Sequence, residues 1–189
     1  NGTLDASFGN SGKSILFALP PTEVEDSARA IAIQADGKII ITGTKKDNIV
    51  IVRLTADGSL DATFGTNGFT EIPIAEGSID APEAIIIQPD GAIVVAANYY
   101  ITSTLNNHIV LLRFTANGNL DTTFGGNGKV MLSPGTINDQ VFDLKLQQDN
   151  KIVVCGNTAI TNSNYDFLAA RVNPDGSLDN TFGTNGFAT

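Results

Sequence analysis

The sequence predicts an all-β fold made of tandem repeats, namely three units of four short antiparallel strands arranged as blades of a β-propeller. Two observations carry that expectation. A twelve-residue phrase recurs four times at a near-constant interval, and short β-branched runs between its copies alternate with Asp-Gly or Asn-Gly turns. The phrase reads NGTLDASFGNSG from Asn1, DGSLDATFGTNG from Asp57, NGNLDTTFGGNG from Asn117 and DGSLDNTFGTNG from Asp175. Its aromatic residue falls at Phe8, Phe64, Phe124 and Phe182, at intervals of 56, 60 and 58 residues. Such a period marks a repeat architecture in which each unit buries its faces on its neighbours. The units span 13–68, 69–128 and 129–186, preceded by an extra phrase copy at 1–12, in one array.

The first unit sets the expected order of strands. Ile31–Gln34 should turn at Asp36-Gly37 into Lys38–Thr42, because both central positions of a two-residue hairpin need positive φ. Asn48–Leu54 is the third strand. Fourth strands are expected after each phrase, at Lys13–Phe17, Phe69–Ile74 and Lys129–Leu132. Ile39–Ile41 and Ile93–Val95 are apolar throughout, as strands sandwiched between neighbours should be. No window carries a helical period. A β-solenoid ranks second, because its coils are usually shorter and lack two hairpin turns per unit. A β-sandwich would leave the strict repeat unexplained.

The phrase DGSLDxTFGxNG, with AxxxQxDGKIxxxG before it and a strand ending in Arg, resembles the delta-60 repeat of bacterial proteins. The resemblance covers nearly the whole chain. It implies β-propeller blades in secreted or surface proteins and carries no reaction with it. In the third unit Asn150 replaces the turn glycine. Asn tolerates the left-handed conformation, so the turn is expected to survive.

Composition narrows the partners. A chain of 189 residues that is 42% hydrophobic can bury a sizeable core. Its net charge of −9 repels phosphate backbones and anionic membranes, while leaving room for cations such as Ca²⁺. No apolar stretch approaches the roughly 20 residues that span a bilayer. Cys155, the one cysteine, closes the apolar run from Ile152 and is expected to be a buried structural thiol. A start at Asn1 without Met or a signal peptide suits a mature secreted product or a piece of something longer. Low lysine content and the single cysteine lean extracytoplasmic, secreted or cell-surface. Three blades cannot close a ring, which takes roughly four to eight. The expected order is an excerpt of a longer array, then a closed dimer, then a filament, because phrase copies at both ends of a closed dimer would compete for one position.

Asp5, Asp61, Asp121 and Asp179 in the phrase, and Arg53, Arg113 and Arg171 closing the third strands, recur with the period. A site rarely needs one copy per unit, so these predict internal ion pairs or turn locks. The repeated Phe is expected as a plug between blades. Asp26, Asp80 and Asp139 each lie eight residues before a repeated Gln (Gln34, Gln88, Gln147). In a ring, three such carboxylates could hold Ca²⁺; the plainer reading is a capped turn entering the strand. DGSLD lacks the EF-hand order, and GGNGKVML has Val130 where a Ca²⁺-binding β-roll needs Asp.

Catalytic groups are sparse. His108 is the one histidine and takes the strand-start position of Asn48 and Asp166, so it is expected to face solvent. No phosphate loop or zinc spacing is present. Non-repeated residues between the second and third strands are the candidate ligand-binding positions. Asn98–Asn107 and Asn157–Tyr165 read as long loops holding Tyr99, Tyr100, Asn106, Asn107, Asn162, Asn164 and Tyr165. Tyr among small polar residues suits adaptable recognition surfaces. The expected function is a non-catalytic protein- or glycan-binding module without a cofactor, on a secreted or surface bacterial protein. The alternatives are a structural element that self-associates through open blade faces and a hydrolase or lyase using face carboxylates.

Overall fold

The computed structural model describes residues 2–16, 26–46, 48–73, 78–103, 105–134, 138–161 and 164–189, with only the backbone of 78–80 and 160–161. Strands follow the β-branched runs of each period. They are β1 Ser27–Ile33, β2 Ile39–Lys45, β3 Asn48–Leu54, β4 Phe69–Ile72, β5 Ser78–Ile87, β6 Ile93–Ile101, β7 Asn106–Phe114, β8 Lys129–Leu132, β9 Asn138–Leu146, β10 Ile152–Thr161, β11 Asn164–Val172 and β12 Phe187–Ala188. No helix occurs among the described residues.

β1 to β4 form a four-stranded antiparallel sheet in chain order. In the larger sheet, β5 to β8 and β9 to β12 are also antiparallel neighbours in chain order. A parallel pair, Asn107 with Asn138, links these two sets into one sheet. We call the three sets the first, second and third meander. Their opening strands lie together, β1 against β5 and β5 against β9. Each opening strand carries one bulged residue, at Arg29, Glu83 and Phe142.

The strands depart from the sequence expectation in three ways. β4 opens the second sequence unit yet pairs with β3, so each sheet is offset by one strand from the period. Lys13–Leu16 form no strand, since a β-run needs a partner ladder and theirs is limited to one bridge, Gly9 with Lys13. The expected long loops are mostly ladder: β6 runs to Ile101 and β7 starts at Asn106, while β10 reaches Thr161 and β11 starts at Asn164. Tyr, Thr and Asn there satisfy their backbone groups across the hairpin, which makes two long hairpin arms. The expected turn at Asn150 persists at φ 64°.

Meanders stack face to face. Because side chains alternate along a strand, each meander has one face toward the next unit and one toward the previous unit. From the first meander, Ile40, Ile49, Ile51 and Phe64 pack against Ile93, Val95, Val110 and Leu112 of the second. The second meander turns Val94, Ala96, Ile109, Leu111 and Phe124 against Val141, Leu144, Ile152, Val154 and Leu168 of the third. β6 is therefore apolar on both faces because a neighbour covers each one. A third cluster packs Phe8 and Leu16 onto Val50, Val52 and Leu54.

Phe64 and Phe124 are wholly buried between meanders, whereas Phe182 is half-buried. Phe124→Ala should therefore cost about 3–5 kcal/mol in urea unfolding, and Phe182→Ala less than about 2 kcal/mol. Equal losses would show that the repeated Phe stabilises its own unit rather than the seam.

Candidate functional site

The repeated polar residues build one device per unit. Arg53 closes β3, and the turn that follows returns the chain so that Arg53 Nε donates to Asp61 Oδ2 at 2.8 Å. The guanidinium lies 4.8 Å from the Phe64 ring centroid, and Nη2 donates to Thr63 Oγ1 at 3.1 Å. Arg113 repeats the arrangement with Asp121, Thr123 and Phe124, and Arg171 repeats it with Asp179, Thr181 and Phe182. The expected ion pair is thus present in each meander.

The device also reaches forward. Arg53 Nη1 donates to Ala116 O at 2.9 Å in the second meander, and Arg113 Nη1 donates to Pro174 O at 2.5 Å in the third. Backbone N–H groups follow the same route, Gly65 to Asn117 O at 2.8 Å and Gly125 to Asp175 O at 2.9 Å. The Phe64 ring rests on Gly118, where an added Cβ would come within 2.7 Å of the ring. That glycine also sits at φ +85°, so both the conformation and the close approach require it. We call the Arg-Asp-Phe-Gly group the latch, and the turn it grips the seat.

Charge is distributed unevenly among the latches. Asp61 is held well below the usual carboxylate range by the Thr63 hydroxyl first, then Lys38 and Arg53, against its burial. Asp179 is likewise depressed, by Lys151 first and then Thr181 and Arg171. In the second meander Ala92 takes the lysine position, so Asp121 is lowered mainly by Thr123, with Arg113 assisting. Asp5 in the N-terminal phrase is lowered by Ser7, whose hydroxyl and N–H both reach its Oδ1.

The turns at Asn117 and Asp175 are gripped by the latches of the preceding meanders, the turn at Asp57 takes Gly9 and Phe8, and no described turn meets the last latch. Ile49 on β3 and Ile109 on β7 are at 0% exposure, while Phe167 at the equivalent repeat position on β11 is 92% exposed. Ala96 is buried by the third meander, whereas Cys155 at the same repeat position is exposed. This corrects the expected buried thiol: no described residue packs over that face of the third meander. Phe142, Cys155, Asn157, Tyr165, Phe167 and Leu168 line one shallow hollow there. A comparison of the repeats could have flagged it, since Phe142 stands where Arg29 and Glu83 occupy the other bulges.

The expected ligand residues divide between arms. Tyr99 on β6 packs against the first seam, with its ring 6.3 Å from that of His108. Tyr100 is half-buried opposite Asn107. Asn106 opens β7, and Asn107 N–H donates to Asn138 Oδ1 at 3.0 Å, tying the second meander to the third. Asn98 also ties that seam, accepting from Val141 N–H at 2.8 Å and donating to Val141 O at 3.2 Å. Asn164 and Tyr165 are exposed on β11. Asn162 lies outside the described residues. Of the described members of this set, Tyr165 lies on the open face.

Of the expected carboxylate trio, the side chains of two members are described. Asp139 is buried and accepts the Thr158 hydroxyl at 2.6 Å, locking β9 to β10. Asp26 lies beside Ser14 and Gly43, and the side chain of Asp80 falls outside the described residues. No described group of three His, Cys, Asp or Glu side chains could hold a metal ion. His108 is half-buried rather than solvent-facing, with Nδ1 2.9 Å from Ser133 Oγ across the β7–β8 ladder.

An all-β tandem-repeat protein with a latch between successive meanders is what this geometry defines. A model of a domain of unknown function (DUF5122) with a β-propeller fold matches residues 34–64, 88–124 and 147–182, and the chain belongs to that family. Each match runs from a repeated Gln to a repeated Phe, the same markers that set the period. No curated protein matches the chain. Among solved structures, virginiamycin B lyase from Staphylococcus aureus is similar at 15% identity and a TM-score of 0.32, over 80% of this chain. The match takes in 54% of that structure, so the chain spans about half its length. A likeness at that level carries no functional meaning.

Two outcomes test the latch. Arg53→Ala leaves Asp61 buried with weaker partners and should cost about 3 kcal/mol, whereas Lys38→Ala should cost less than about 1 kcal/mol. Depressed carboxylates stabilise the folded chain fully above the unfolded pKa of about 4 and lose that contribution as pH falls through and below it. The urea midpoint should therefore drop between about pH 5 and pH 3, and drop less in Asp61→Asn. Identical slopes in both proteins would show that Asp61 contributes no linkage.

Proposed function

We propose that this chain is a non-catalytic protein-binding module in which the three meanders are propeller blades and the open face of the third is the binding surface. The observation that supports it is the contrast between Phe167 at 92% exposure and its repeat equivalents at 0%. Exposed apolar patches of this kind mark interaction sites on otherwise polar surfaces. Phe142 at 57% exposure, Tyr165 and the neighbouring Ala169 give the face an aromatic and aliphatic character that favours a protein over a glycan. The repeated Asp and Arg residues are engaged in latches, which supports a scaffold rather than a reaction centre. Low lysine content supports an extracytoplasmic setting.

Phe167→Ser tests the reading directly. The variant should keep the wild-type circular dichroism and change stability by less than about 0.5 kcal/mol, as expected for an exposed position. It should also lose most of the fluorescence of an apolar dye bound to the wild-type chain. Undiminished dye binding would mean that the accessible apolar surface lies elsewhere, and the reading would fail.

A further inference from the structure

We propose that the first meander carries a self-processing site, in which the side chains of Lys45 and Asn48 join through an amide bond and Glu71 relays the proton. Three polar side chains meet there on one face. Lys45 and Asn48 are direct partners across the β2–β3 ladder, and Glu71 on β4 lies opposite Val50, two residues along β3 from Asn48. Lys45 Nζ donates to Glu71 Oε2 at 3.0 Å, and Asn48 Nδ2 donates to Glu71 Oε1 at 2.8 Å. One carboxylate thus holds a primary amine and a carboxamide side by side, one on each oxygen. Phe69, two residues from Glu71 and so on the same face of β4, places its ring centroid 4.9 Å from Lys45 Nζ. With 20% and 29% of their side chains exposed, Lys45 and Glu71 are largely screened from water.

The residues that build the latches recur in every meander, and these do not. Tyr99, His108 and Met131 take the three positions in the second meander, while Thr158 and Asp166 replace Lys45 and Asn48 in the third. Neither replacement set brings an amine to a carboxamide. A structural role repeated with the period therefore does not account for the group.

The chemistry is an internal transamidation that needs no cofactor and no outside reagent. Glu71 is held below its usual range, by the Asn48 amide first and then, against its partial burial, by Lys45, so the resting pair is an ammonium and a carboxylate. One proton passed along the Lys45–Glu71 bond converts it to an amine and a carboxylic acid, with the proton count unchanged. The Nζ lone pair then attacks Asn48 Cγ, which is within reach because the Cβ atoms of directly opposed residues lie roughly 5 Å apart. As the adduct collapses, Glu71 returns a proton to Nδ2 and receives one from Nζ. The Nζ–Cγ bond forms, the Cγ–Nδ2 bond breaks, and ammonia leaves, taking the remaining proton as ammonium. Fixed proximity and general acid–base transfer both lower the barrier. The product bridges β2 and β3 beside their turn and holds that end of the hairpin closed.

Intact-mass spectrometry of the purified full chain tests this, with Lys45→Arg and Glu71→Gln as variants and circular dichroism melts to confirm that each folds. Lys45→Arg keeps a cation beside Glu71 but removes the amine nucleophile. Glu71→Gln keeps hydrogen bonding but cannot relay the proton. After incubation at physiological temperature, the wild-type chain should be lighter than its sequence by one ammonia, with the tryptic peptides on either side of Lys46 still joined. Both variants should keep their full mass and give those peptides separately. A cyclic imide at an Asn-Gly pair also sheds ammonia, but mild alkali opens it, whereas the amide bridge survives. A wild-type chain of full mass overturns the inference, and so does a loss that mild alkali reverses or that Lys45→Arg retains. A bridge that still forms in Glu71→Gln overturns the role of Glu71.

Discussion

Arg53 is paired with Asp61 behind it, stacked on Phe64 beneath it and bonded to Ala116 O ahead of it, so one side chain joins three levels of the fold. Within the unit it closes the turn after β3 and fixes where Phe64 points. Across the seam it selects the carbonyl that the next turn must present. Apolar burial supplies most of the driving force, at about 2 kcal/mol for each fully buried Ile or Leu. Burial alone is non-directional, and two pleated apolar faces can slide past one another at little cost. The charged latch makes sliding expensive, because a shifted seam strands a desolvated guanidinium. Affinity and register therefore come from different residues.

The middle unit shows how much of the latch can be trimmed. Ala92 removes the lysine that Asp61 and Asp179 each possess, yet Asp121 keeps its Arg113 and Thr123 contacts at full geometry. The lysine thus adjusts the charge of the latch without defining its shape. Other contacts reinforce both seams, the first through Thr70 Oγ1 donating to Gly118 O at 2.7 Å and the second through Asn98 bridging both backbone groups of Val141.

The period, the hairpins, the Asn150 turn and the Arg–Asp pairing were legible in the sequence because each depends on residues within a single unit. The family match and the ion pairs agree with that local reading. What the sequence concealed depends on neighbours. Cys155 sits in an apolar run indistinguishable from that of Ala96, and only the covering sheet decides which is buried. β4 carries nothing in its composition to say that it pairs backward with β3 rather than forward. The arms are ambiguous in sequence because Tyr99, Tyr100 and Asn164 are polar enough for a loop and β-prone enough for a ladder, and only the facing strand decides. Phe142 and Phe167 carry no signal of exposure, because apolar residues in a repeat look like core.

Seat and latch lie in the same unit, at opposite faces, and each interacts only with the adjacent unit. A duplication of one whole period therefore creates a new seat and a new latch together, already complementary to what flanks them. Such an array can lengthen or shorten by recombination in steps of one unit without having to invent an interface. A break within the eight residues between Arg and its Asp leaves both charges without their partner.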